Sequence, residues 1–177
     1  MDTAILLVRL TFGLAMAAHG AQKLFGWFGG YGIKGTGGFF EAIGFRPGVP
    51  FAIAAGLSEF CGGALLAAGL LTPLGAAAVV AAMSVAMISV HVKNGFFAMS
   101  NGIELPFLYA VAAVAVAWTG AGTFSLDRLL GLDLLFPSYA RSGLLVLAAI
   151  GAIVTLTLRD RSVSHEAGDH ATERRST

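Results

Sequence analysis

Residues 51–92 read FAIAAGLSEFCGGALLAAGLLTPLGAAAVVAAMSVAMISVHV, and Glu59 and His91 are the only acidic or basic side chains among them. A helix needs about 20 apolar residues to span the hydrocarbon core of a bilayer, so this stretch is long enough for two spans. Leu71-Thr72-Pro73-Leu74 divides it, because proline and the restriction on the residue before it end a helix. The stretch therefore predicts a tight antiparallel pair of membrane helices.

Further apolar runs lie on both sides of this pair. Four spans are predicted in total, at roughly 4–24, 51–71, 73–92 and 104–121. A shorter apolar run, 142–158, is followed by Arg159-Asp160-Arg161, which is typical of an interfacial stop. We therefore predict an all-α membrane protein, a four-helix transmembrane bundle with a fifth C-terminal span.

The composition excludes several classes of protein. With 56% hydrophobic residues, 12% charged residues and a mean hydropathy of +0.80, the chain has more apolar surface than a soluble core of this length could bury. The net charge is +1 and the basic residues are scattered, so nucleic acid is not an expected partner. Cys61 is the only cysteine, which excludes an intrachain disulfide, and no residue spacing indicates a metal site.

The basic residues predict the orientation if the five spans alternate. We call the end of the bundle where the first span ends side B, and the opposite end side A. Side B then carries Lys23, Lys34, Arg46, Lys93, Arg159 and Arg161, and side A carries Arg9, Arg128 and Arg141. The excess on side B predicts that this side is cytoplasmic. A four-span arrangement would move the C-terminal tail to side A and weaken this inference.

Ionisable side chains cluster in the side-B half of the predicted spans, where each costs about 2.5–3.5 kcal/mol on insertion scales. His19 and Lys23 are four residues apart and share a helix face near the end of the first span. Glu59 lies about 12 Å into the second span by helical rise. His91 ends the third span, and Glu104 begins the fourth.

We interpret this coincidence as one convergent site in which the groups compensate one another's charge. The predicted ligand-binding residues are His19, Lys23, Glu59, His91, Asn94 and Glu104, with His19 and Glu59 exchanging protons. Simpler interpretations stay open. A Lys23–Glu59 ion pair could only fix the helix register, and residues at span ends could be ordinary boundary residues.

Other features have structural interpretations. The aromatic residues at the side-B end are Phe25, Trp27, Phe28, Phe39, Phe40, Phe96 and Phe97, which we interpret as an anchoring belt rather than a stacking surface for a flat ring. Arg9 can snorkel to the opposite interface. The glycines Gly56, Gly62, Gly63 and Gly69 are typical of close helix packing.

Several motifs together resemble the DoxX family of small bacterial membrane proteins. They are Arg9-Leu10, His19-Gly20-Ala21-Gln22-Lys23-Leu24-Phe25-Gly26, Gly35-Thr36, Phe39-Phe40, Gly56-Leu57-Ser58-Glu59-Phe60, Gly62-Gly63, His91, Asn94-Gly95-Phe96-Phe97, Gly102-Ile103-Glu104 and Ser125-Leu126-Asp127. The resemblance covers roughly residues 5–131. We therefore predict a DoxX-like membrane domain at 1–131, an additional helix at 132–158 and a disordered charged tail at 159–177.

The resemblance implies a four-helix bundle in the bacterial inner membrane. It also implies a link to sulfur metabolism, oxidative-stress defence and quinone-linked electron transfer. Relatives in the family include a membrane subunit of thiosulfate:quinone oxidoreductase, and some members are thought to assemble with superoxide dismutase and a sulfurtransferase. Soluble redox proteins on the cytoplasmic face are thus expected partners, beside the lipid bilayer, and a homo-oligomer is left open.

The leading hypothesis is a membrane component of a redox system that binds a quinone-like or other small polar ligand. A neutral imidazole beside a partly buried carboxylate can exchange the protons that quinone chemistry needs. Haem ligation by His19 and His91 is one alternative. A proton-coupled transporter is another, but span two offers only Ser58 and Cys61 near Glu59. A scaffold that docks soluble oxidoreductases is the third.

Overall fold

The computed structural model of the chain describes residues 1–160, which form seven α-helices and no strand. The helices are α1 Asp2–Phe25, α2 Gly32–Ala42, α3 Gly48–Ala68, α4 Thr72–Ala86, α5 Glu104–Thr119, α6 Leu126–Leu129 and α7 Ser138–Thr157. A π-helical turn, Met87–His91, continues α4, and short 3₁₀ turns join other elements. The predicted all-α fold class is confirmed.

Four helical stretches are long and apolar enough to cross a membrane. They are Asp2–Phe25, Gly48–Ala68, Thr72–Asn94 and Ser138–Thr157. The C-terminal helix is longer than the predicted run 142–158 at its start, because α7 begins at Ser138, after Pro137, and has 20 residues. The predicted span at 104–121 is shorter than these four stretches, because α5 has 16 residues and ends before Gly120, which has a φ of +85°.

Close packing between α1 and α3 forms the centre of the bundle. A Cβ atom on Gly63 would lie 2.5 Å from the Ala17 nitrogen and 2.5 Å from the Gly13 oxygen. On the other side of α3, a Cβ atom on Gly62 would lie 3.0 Å from the Gly75 oxygen of α4. Glycine at these positions therefore lets backbones approach each other, as predicted. The predicted antiparallel contact between α3 and α4 is also confirmed.

The side-A end is closed around Arg9, which is only 2% exposed. Its Nε donates to Leu66 O at 3.0 Å and its Nη2 to Ala67 O at 3.1 Å. Its Nη1 donates to Ala121 O and, at 3.0 Å, to Phe124 O. The snorkelling interpretation was wrong, because the guanidinium is buried and donates to carbonyls at the C-terminal end of α3, of which Leu66 O also accepts the Gly69 N–H at 3.1 Å.

The end of α7 returns to side B. Arg159 Nε donates to Ile43 O at 2.6 Å, and the Asp160 N–H donates to Gly44 O at 2.8 Å. Because Ile43 and Gly44 join α2 to α3 at the end where α1 stops, the five long helices alternate in direction as predicted. Arg161 and the rest of the predicted disordered tail lie outside the described residues. The division of the chain at residue 131 stays a prediction.

Two glycine-to-alanine substitutions test the packing. Gly63→Ala is expected to lower the free energy of unfolding by about 1–3 kcal/mol, because its methyl group overlaps the α1 backbone. Gly151→Ala in α7 is the matched control, since a Cβ atom there meets nothing within 4 Å. It should leave stability unchanged or raise it by up to about 1 kcal/mol through helix propensity. Thermal unfolding in detergent measures both, and equal effects would contradict the packing.

Candidate functional site

An ion pair joins α1 to α3 within the membrane-spanning region. Lys23 Nζ donates to Glu59 Oε2. Glu59 is 3% exposed and lies eleven residues beyond Gly48, the first residue of α3. At a helical rise of about 1.5 Å per residue, Glu59 is therefore roughly 16 Å from the start of α3. Because a lone carboxylate at this depth would be costly, the pair keeps both charges tolerable.

A cavity of about 420 Å³ lies beside this ion pair. It is bounded by α2, α3, the end of α4 and α7. Small side chains leave the space: Ala54, Ala55, Ala81, Ala82, Ala86, Gly151 and Ala152. The rings of Phe39, Phe40 and Phe51 line it as well, so that most of its wall is apolar.

The polar groups of the cavity differ in what they offer a ligand. Ser89 Oγ donates to Val85 O at 2.7 Å, and Thr155 Oγ1 donates to Gly151 O at 2.8 Å, so both hydroxyl hydrogens are bound to their own helices. Lys23, Glu59 and His91 also line the cavity. These three side chains provide its charge and its capacity to exchange protons.

His91 stands at the end of the π-helical turn that continues α4. Its Nδ1 lies 2.8 Å from Asn101 O. Because a carbonyl oxygen can only accept, we assign the hydrogen of the neutral ring to Nδ1, which leaves Nε2 as an acceptor. Turns of this kind are frequent at functional sites, and Ser89 and Val90 of the same turn also line the cavity.

The structure brings three of the six predicted ligand-binding residues to this cavity and places the other three outside its lining. His19 is exposed; its Nδ1 lies 3.2 Å from Gln22 Oε1, and its ring packs edge-on against Tyr109. Asn94 Nδ2 donates to Asn101 O at 3.1 Å. Glu104 accepts the Ala98 N–H at 2.7 Å. The last two side chains hold the loop between α4 and α5.

Sequence reasoning missed the wall that α7 contributes through Gly151, Ala152 and Thr155. The sequence contains a pattern that could have predicted this wall, because Gly151, Ala152 and Thr155 share one helix face in a run whose other residues are mostly bulky and apolar. Other aromatic residues at side B do not line the cavity and are between 49% and 72% exposed, which agrees with the belt interpretation. They are Phe25, Trp27, Phe28, Phe96 and Phe97.

Comparison with known proteins identifies the family. The family model named DoxX matches residues 4–92. The chain belongs to the DoxX family. As a DoxX-family chain with these helices it is a multi-pass membrane protein. The match covers α1 to α4 with their glycines, Lys23, Glu59 and His91, and it ends before α5 and α7.

Two curated relatives are similar over most of their length. An uncharacterized protein of Haemophilus influenzae is 32% identical over 124 residues, covering 68% of this chain and 86% of the relative. An uncharacterized membrane protein of Mycobacterium tuberculosis is 27% identical over 135 residues, covering 71% of this chain and 80% of the relative. No solved structure matches the chain.

A double-mutant cycle tests the ion pair. Lys23→Met should lower the free energy of unfolding by about 3 kcal/mol, because it leaves the Glu59 charge buried without a partner. Glu59→Gln should cost less, since Lys23 is 29% exposed and can reach the interface. The double variant should recover part of the loss caused by Lys23→Met. Chemical denaturation in mixed micelles measures all three.

The matched control is the cycle of Arg128→Gln and Asp133→Asn, whose exposed ion pair spans 3.2 Å. Its coupling energy should stay below about 1 kcal/mol. A Lys23–Glu59 coupling no larger than this value would show that the pair does not stabilise the bundle.

Proposed function

We propose that this DoxX-family protein is a membrane component of a redox system that binds a quinone-like molecule in the cavity between α2, α3, α4 and α7. One observation carries the proposal: an apolar cavity inside the helical bundle has Lys23, Glu59 and His91 in its wall. An ion pair that only stabilised the fold would not require a cavity beside it. A ligand with a flat apolar body and polar edges would fill that space and contact those groups.

The dimensions and chemistry of the cavity fit such a ligand. Its volume, about 420 Å³, falls within the range of typical small-molecule sites. Phe39, Phe40 and Phe51 supply aromatic surface on which a flat ring can stack. The Lys23 ammonium can donate to a ligand oxygen, and the free Nε2 of neutral His91 can accept from a ligand hydroxyl.

The proposed chemistry for the residues is proton exchange. Reduction of a quinone to a quinol takes up two electrons and two protons, and oxidation releases them. Glu59 and His91 would exchange the protons, while Lys23 favours negative charge on the ligand oxygen. The electrons would come from a partner protein or a noncovalently held cofactor. His19, which the sequence had suggested as a second proton carrier, lies outside the cavity and has no part in the proposal.

The proposed location is the bacterial inner membrane with side B in the cytoplasm. Lys34, Arg46, Lys93 and Arg159 support this orientation, because positive residues favour the cytoplasmic side. Soluble redox proteins would then meet the protein on the side where the cavity lies. Two copies of the chain could form the docking platform, but the proposal requires only one.

A scaffold without a ligand is the second candidate. The observation in its favour is that Lys23 and Glu59 already bind each other, so neither charge needs a ligand. A transporter has less support, because Arg9 is bound to four backbone carbonyls near side A and the buried core, which includes Met16, Leu66 and Val79, is apolar. Haem ligation would need His19 and His91 at one site, whereas only His91 lines the cavity.

Filling the cavity should remove the ligand. Gently purified wild-type protein is expected to retain a quinone or related molecule, detected by ultraviolet–visible spectroscopy and mass spectrometry of its solvent extract. Gly151→Leu should lose it, because the new side chain enters open space at the cavity wall. Glu59→Gln should retain less of it, since one polar contact is lost.

Gly143→Leu is the matched control, because Gly143 lies on the same helix, has nothing within 4 Å of an added Cβ atom and does not line the cavity. It should retain the molecule as the wild type does. If wild type and all variants are equally folded and equally empty, the ligand proposal fails and the scaffold remains. A Soret band in the wild-type spectrum would instead support haem.

A further inference from the structure

A second cavity, of about 240 Å³, lies at the opposite end of the bundle, on side A. It is bounded by the first residues of α1 and α4, the turn 119–125, α6 and the start of α7. Unlike the first cavity, much of its wall is polar. Neither the redox proposal nor the family comparison gives it a role.

The side chain of Thr72 is the first sign that this cavity binds something. Thr72 is 1% exposed and lines the cavity. Among residues 1–160, its Oγ1 is the one buried side-chain polar atom without a hydrogen-bond partner. Burying a hydroxyl without a partner is unfavourable, so a group from outside the chain would satisfy it.

Most of the charged groups around the cavity are already bound. Both carboxylate oxygens of Asp127 accept backbone N–H groups, from Leu71 at 2.6 Å and from Thr72 at 2.9 Å. The exposed ion pair of Arg128 with Asp133 neutralises two more charges. Asp127 keeps its negative charge, but both of its oxygens are occupied and the Arg9 guanidinium lies near enough to balance that charge.

Asp2 and Arg141 are the other two charged side chains in the wall of this cavity. Arg141 Nε donates to Phe136 O at 2.7 Å and its Nη1 donates to Trp118 O at 3.1 Å, which fixes the guanidinium and leaves Nη2 without a protein partner in the described chain. The Asp2 carboxylate has no hydrogen bond or ion pair within residues 1–160. The cavity thus presents one negative and one positive group that do not bind each other.

The turn between α5 and α6 separates these two groups. A Cβ atom on Gly120 would lie 3.6 Å from Arg141 Nη1, and one on Gly122 would lie 3.5 Å from Asp2 Oδ1. Both glycines have positive φ values, so they turn the chain and keep side chains away from the two charges. The charged groups flank an open turn.

We propose that this cavity binds a small zwitterion, an oxyanion joined to a primary ammonium by a short chain. The Arg141 guanidinium and the Thr72 hydroxyl would donate to the oxyanion, and the ammonium would donate to Asp2. A simple anion would face the uncompensated Asp2 carboxylate, and a simple cation would face Arg141. A zwitterion satisfies both charges at once.

Phosphoethanolamine has this chemistry and can come from two sources. It is the headgroup of phosphatidylethanolamine, which would reach the cavity because the cavity opens at the end of the spans. It also exists as a free solute. Phosphocholine is the matched probe, because it has the same charges but its trimethylammonium group cannot donate a hydrogen bond.

The experiment uses full-length protein in nanodiscs and measures thermal unfolding. In one arm, phosphatidylcholine nanodiscs are titrated with O-phosphoethanolamine or with phosphocholine. In the other, phosphatidylethanolamine replaces part of the phosphatidylcholine. We expect wild-type protein to be stabilised by the ethanolamine form in at least one arm, and the arm identifies the source. We expect no comparable stabilisation by the choline form.

Three variants make the result specific. Thr72→Val, which keeps the shape of the side chain, should weaken binding about tenfold, the typical effect of one hydrogen bond to a charged group. Asp2→Asn should abolish the preference for ethanolamine over choline. Arg128→Gln removes a charge that lines the same cavity but is already paired with Asp133. It should leave unchanged both the binding of the ethanolamine form and the preference for it over the choline form.

Failure of the ethanolamine form to stabilise wild-type protein in either arm would overturn the proposal. Equal stabilisation of wild type, Thr72→Val and Asp2→Asn would also overturn it, since the effect would then arise elsewhere. The result does not depend on the side-B cavity, so it stands or falls separately from the redox proposal.

Discussion

A carboxylate inside a membrane helix needs a partner, and the rest of the side-B structure depends on how this chain supplies one. Glu59 lies deep in α3, and only a side chain from a closely packed neighbour can reach it. Lys23 does so because the glycines of α1 and α3 let the two backbones come into contact. The pair joins the two helices inside the bundle, and α4 and α5 pack against this unit.

The two ends of the bundle satisfy their charges in different ways. On side A, main-chain carbonyls of α3 and of the turn after α5 bind the Arg9 guanidinium, and the buried core of the bundle beside it is apolar. On side B, the partner of Glu59 is the long side chain of Lys23, and the side-B cavity lies beside this pair. The wall of that space includes Gly151 and Ala152 of α7, which lie beyond the part of the chain that the family model matches. Members of the family with different C-terminal segments would therefore have different cavities.

The sequence predicted the features that follow from local chemistry. Apolar run lengths, the proline in the α3–α4 turn and the glycines of α3 gave the spans, the hairpin and the close packing. What depends on tertiary contacts was not predictable. Arg9 looked free to snorkel because the carbonyls that bind it belong to distant segments. His19 shares a helix face with Lys23, yet the long lysine side chain reaches Glu59, whereas the shorter imidazole packs against Tyr109.

The central claim is that the space beside the Lys23–Glu59 pair holds a membrane-soluble ring compound. Photoaffinity labelling with an azidoquinone in native membranes tests it directly, because peptide mapping shows where the ring lies. The account predicts labels on residues 81–91 of the α4 segment and on residues 151–155 of α7, and their loss when excess unlabelled quinone competes. Labels spread over the lipid-facing surface of α1, unaffected by the competitor, would contradict it.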